Sequence, residues 1–127
     1  MITGPDDSNL WDRLCAGLAL GCALHCLQVF WLASVIPALA GETAHRVAAL
    51  SVVVPGAPAL LRGWSRHHSL RPWTWALPGW GLLLLARGGS PGSPGEIAET
   101  FFTAGGCVLV WVAHQLNRSL AYWHDRP

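Results

Sequence analysis

Two thiols and an imidazole stand together in Cys22-Ala-Leu-His25-Cys26, inside a run from Leu14 to Ala40 that holds no Asp, Glu, Lys or Arg. Thiolate and imidazole suit soft or borderline ions such as Hg(II), Zn(II) and Cu(I), and suit Mg or Ca poorly. A thiol that meets such an ion gives up its proton, and the thiolate offsets the water the ion loses. Harder donors lie elsewhere in the chain. Glu42 and His45 are three residues apart, Glu96 and Glu99 repeat that spacing, and His114 stands three residues before Asn117. The order reads as collection at Glu42, His45 and Glu99, carriage by Cys22, His25 and Cys26, and passage inward to His114. Cys15 and Cys107 are lone thiols in apolar surroundings, where packing is the commoner role. His67 and His68 stand among three Arg and read as a solvated cationic loop, and the sequence leaves their part in binding open, like that of Cys15 and Cys107.

These donors need elements to hold them. Four apolar runs, with charge concentrated between them, predict an all-α integral membrane protein of four antiparallel transmembrane helices, spanning about 14–39, 44–61, 71–87 and 97–119 in a single domain. At about 100° per residue, Cys15, Cys22 and Cys26 share one stripe of the first helix with His25 on its flank. Glu96, Glu99, Thr103, Cys107, His114 and Asn117 share a face of the fourth. Polar stripes at membrane depth face the bundle interior, so the two are expected to meet, with Cys22 and His114 at comparable depth. Pro55, Pro58 and Pro78 fall inside helices and free carbonyls there. The segment Arg87 to Glu96, rich in Gly, Pro and Ser, reads as a flexible linker.

Composition supports the bilayer as solvent. Of 127 residues 52% are hydrophobic and 12% charged, eight are Trp, and there is no Lys. A net charge of +1 leaves no basic face for nucleic acid. Ala38-Leu39-Ala40 imitates a signal-peptidase site, yet the acidic flank of Asp6, Asp7 and Asp12 and the long apolar run predict a retained helix. Arg13, Arg62, Arg66, Arg71, Arg118 and Arg126 fall on the face of the termini and middle loop, against Arg46 and Arg87 opposite, which predicts a multi-pass inner-membrane protein with both termini cytoplasmic.

The order Asp12, Cys22-Ala-Leu-His25-Cys26 and Glu42-Thr-Ala-His45, then Gly63-Trp-Ser-Arg-His67, Glu99-Thr-Phe-Phe-Thr-Ala-Gly-Gly106 and Ala113-His-Gln-Leu-Asn117, resembles the MerC-like mercury-resistance membrane family. The resemblance spans nearly the whole chain. It implies a four-helix inner-membrane protein, not an enzyme, that brings mercuric ion into the cytoplasm for reduction. The family's well-known transporters pair their first-helix cysteines as C-x-x-C, whereas here the pair is C-x-x-x-C with His25 inside it. The expected function is a carrier of a soft metal ion by Cys/His ligand exchange, with mercuric ion implied by the resemblance and zinc or copper as further cargo. Its expected partners are the lipid bilayer, the ion and a cytoplasmic metal acceptor. No permanent cofactor and no nucleic acid are expected, and no ATPase signature is present. The alternative is a membrane redox module, either a bis-His haem bundle using His25 and His114 or a thiol-quinone protein.

Overall fold

The computed structural model describes residues 5–32, 42–86 and 94–124, with the side chains of 5–9, 26–32, 42–46, 48, 94, 96 and 97 left aside. Four helices follow one another: α1 (Pro5–Leu32), α2 (Glu42–His67), α3 (Arg71–Leu85) and α4 (Pro94–His124). Pro5 opens α1 and Pro94 opens α4, the first-turn position where a missing N–H costs nothing. α2 runs on through Pro55 and Pro58 to His67. His68 then adopts a left-handed φ of 51° and its N–H caps Trp64 O at 2.8 Å, which ends the helix. Two residues later α3 begins, with Trp73 N–H donating to Leu70 O at 2.9 Å and Pro72 fully buried in its first turn.

The bundle runs up-down-up-down, and α4 is its centre, packed on both α1 and α3. α2 lies against α1 and α4 and barely meets α3. α4 approaches α3 closely because both are glycine at the crossing: a Cβ added to Gly106 would stand 2.7 Å from Gly79 O. The apolar core joins Ala19, Cys22 and Ala23 of α1 to Val52, Leu83, Cys107 and Val110, and a second cluster joins Leu60, Ala76 and Ala113 beside the edge-on pair Trp73 and Trp80, 6.0 Å apart.

Several sequence expectations shift. α1 begins well before Leu14, which brings Asp12 inside the helix. α2 overruns its expected end at 61 and α4 overruns 119, because Arg62 does not stop the one and Arg118 does not stop the other. Pro94, Gly95 and Glu96 belong to α4 and not to a linker, while residues 33–41 and 87–93 lie outside the described residues. Among the described residues no helix is long and apolar enough to cross a membrane. The causes are visible in each element. α3 has 15 residues, about 22 Å of rise against a hydrocarbon core of about 30 Å. α4 carries His114, Gln115, Asn117 and Arg118 in its second half, and the charge-free run of α1 continues past His25, its last described side chain.

The helices nonetheless carry many apolar side chains outside and a few polar ones buried within. Leu10, Leu14, Leu18, Val54, Leu77, Leu85, Phe101 and Val108 are exposed, whereas Asp12, Thr103, His114 and Asn117 are buried.

Candidate metal path and its buried polar cluster

The thiol stripe of α1 forms as its spacing dictates: Cys15, Ala19, Cys22 and Ala23 are buried on one face. None of Cys15, Cys22 and Cys107 is in a disulfide. Cys22 also forms part of the wall of an open groove of about 490 Å³ between α1 and α2, together with Arg13, Gly17, Gly21, His25 and Ser51. The groove exists because two of its wall positions are glycine, with nothing within 4 Å of a Cβ added at Gly17 or Gly21. It therefore brings one thiol and one imidazole to a common surface. Cys15 is fully buried and does not line it.

Cys22 and Cys107 share the apolar core, so the stripes of α1 and α4 do meet. The level differs from the expected one. His114 lies not beside Cys22 but beside Asp12, because α1 and α4 run antiparallel and α1 starts early enough to present that carboxylate. His114 Nδ1 donates to Asp12 Oδ1 at 2.7 Å, with both side chains buried. Asn117 Nδ2 donates to Asp12 Oδ2 at 2.8 Å and to Ala59 O at 3.4 Å. The amide fits because Gly63 faces it: a Cβ there would overlap the Asn117 side chain.

His67 completes the cluster. Its Nδ1 accepts from Ser69 N–H at 3.0 Å, so the ring proton sits on Nε2, which donates to Asn117 Oδ1 at 3.0 Å. His67 is thus half-buried at the end of α2 and tied to α4, not part of a solvated loop; His68 next to it is exposed. In the sequence Asp12 reads as part of an acidic flank and Gly63 as a letter of a pattern, and their convergence on Asn117 is not visible there. Asp12 lies on the Cys15–Cys22 stripe at helical spacing, which was the signal available for it.

Cys26 lies in α1, and Glu42 and His45 open α2, but their side chains lie outside the described residues, as does that of Glu96. Glu99 is half-buried in α4, one turn before Thr103, whose hydroxyl donates to Glu99 O at 2.8 Å. Among the described residues no three His, Cys, Asp or Glu side chains converge to hold a metal ion. Nor do His25 and His114 face each other as a bis-His haem requires. His114 is level with Asp12, and His25 stands thirteen residues further along α1, about 20 Å away along its axis.

No curated protein and no solved structure matches the chain. The sequence profile described as MerC mercury resistance protein matches residues 12–119. That stretch opens on Asp12, closes just beyond Asn117, and contains the thiol stripe, the groove and the whole polar cluster. With most of its length matched, from the carboxylate that anchors His114 to the end of α4's polar face, the chain belongs to the MerC mercury resistance family, a family of membrane proteins.

Proposed function

We propose that the protein is an inner-membrane carrier that moves a soft metal ion, mercuric ion first among them, towards the cytoplasm by exchange between thiolate and imidazole ligands. The observation that carries this reading is the groove that brings the Cys22 thiol and the His25 imidazole to one wall. Family membership supplies the cargo class, and the exposed apolar side chains, with Asp12, Thr103, His114 and Asn117 buried inside, suit a bilayer surround. Cys26 is the natural second thiolate, one helical turn from Cys22. Glu42, His45 and Glu99 serve as collecting donors at the outer ends, His114 as the inward one, and a cytoplasmic thiol acceptor takes the ion. Each hand-over breaks one dative bond as another forms, so no step leaves the ion bare at membrane depth. Zinc and copper are further candidate cargoes on the same donor chemistry.

Uptake of Hg(II), normalised to membrane protein level, tests the reading. Cys22→Ser and Cys26→Ser are each expected to abolish accumulation, because Ser keeps the size and forfeits the soft donor. His25→Ala is expected to fall between, and Cys15→Ser, which does not line the groove, to be mild. Normal uptake by both Cys22→Ser and Cys26→Ser would refute the thiol route.

A further inference from the structure

We infer that Asp12 is a positioning residue for the ion: it fixes His114 so that the Nε2 lone pair faces Gly56 of α2 and serves as the inward metal ligand. This rests on the carrier reading above. Three observations converge on it. His114 is fully buried, its Nδ1 is committed to Asp12, and its Nε2 has no hydrogen-bond partner among the described residues. A carboxylate bonded to one ring nitrogen orients the imidazole and, in its neutral form, puts the lone pair on the other nitrogen, the arrangement by which protein carboxylates orient metal-binding imidazoles.

Residue 56, which faces that nitrogen, has no side chain. A Cβ there would stand 3.3 Å from Nε2, 3.9 Å from Cε1 and 3.6 Å from Trp80 Cζ2. Trp80 borders the same glycine, and its Nε1–H is likewise buried without a partner. An imidazole lone pair and an indole N–H on two rings that border one glycine are complementary to a metal ion that still carries one water or halide. The ion gives up one ligand as it takes the Nε2 lone pair, so one dative bond breaks as another forms, and its remaining ligand accepts from Trp80.

The test uses the full chain in lipid nanodiscs, with histidine rings labelled with ¹⁵N and mercuric chloride as the probe. Ultraviolet thiolate-to-mercury absorption reports the cysteines independently. Before metal, His114 is expected to show the Nδ1–H tautomer. At saturation its Nε2 resonance is expected to move while Nδ1 keeps its proton. Asp12→Asn, which offers one acceptor oxygen where two are used, is expected to weaken Hg(II) binding at His114 about 10- to 100-fold. Gly56→Ala is expected to keep the Nδ1–H signature and lose the Nε2 shift, a result that a purely structural histidine does not give. An unmoved Nε2 with the thiols occupied, or a full shift in Gly56→Ala, overturns the inference and leaves the carrier standing. Absence of both the thiolate band and the Nε2 shift overturns the two together.

Discussion

Asn117 uses its amide fully: both N–H bonds are donated, to Asp12 and Ala59, and its oxygen accepts from His67. One side chain thereby ties α1 and α2 to α4. Asn117→Ala strands an acceptor on Asp12 and a donor on His67 within a buried cluster, at about 1–3 kcal/mol for each group that water does not reach. Gly63→Ala is expected to do similar damage from the other side, because its methyl takes the volume of the amide, and overpacking costs about 1–3 kcal/mol. In thermal unfolding of the purified protein both variants should melt earlier than wild type, and the double variant should lose less than the sum, since both break the same contact. Additive losses would show that Gly63 and Asn117 act separately. The thiol stripe and the His114–Asn117 face were legible in the sequence because helical spacing alone sorts them. Asp12 was not, because the acidic cluster before Arg13 reads as a charged flank until α1 is known to begin at Pro5. His67 was missed because the charged stretch from Arg62 to Arg71 reads as a loop, although α2 continues to it.

The elements differ in how much of them sequence could define. α3 lies close to its expected bounds, since Pro72 marks its start and the Gly-rich segment after Ala86 its end, whereas α2 runs on through a charged stretch to the left-handed His68 and α4 runs on past Arg118 to His124. What fixes α3 to α4 is the absence of side chains at Gly79 and Gly106. Added Cβ atoms would meet backbone and buried side chains: at Gly79, Gly106 O and Val110 Cγ2, both at 2.9 Å, and at Gly106, Gly79 O at 2.7 Å and Leu83 Cγ at 2.9 Å. Backbone on both sides cannot step aside as a flexible side chain would. Gly79→Ala and Gly106→Ala are each expected to push the helices apart and destabilise by about 1–3 kcal/mol. Once one methyl has separated the pair, the second meets less resistance, so the double variant should cost less than the two singles combined. A denaturant series comparing the four proteins reads this directly, and strict additivity would mean that the two glycines do not share one contact.

At the scale of the whole molecule, charge and polarity are gathered at one end. Asp12 and Asn117 pair with each other, Gly63 faces Asn117, and His67 reaches it, so the ends of these helices lie level. Arg13 follows Asp12, Arg62 and Arg66 lie in the closing turns of α2, Arg71 opens α3 and Arg118 follows Asn117. Five arginines thus surround the end of the bundle that holds the polar cluster, while Cys22 stands further along α1 towards the other end. By the tendency of Lys and Arg to remain on the cytoplasmic side, we propose that this end faces the cytoplasm. The direction inferred for the ion, from the groove at Cys22 to His114, then runs towards the positive end, where an acceptor can take it. Reporter fusions check the orientation without any metal: a reporter inserted at Ser69, between α2 and α3, and one joined after the last residue should both behave as cytoplasmic, and one within Ser90–Ser93 as external. A periplasmic signal at Ser69 would reverse the bundle, and it would turn the same sequence of ligands into a route out of the cell.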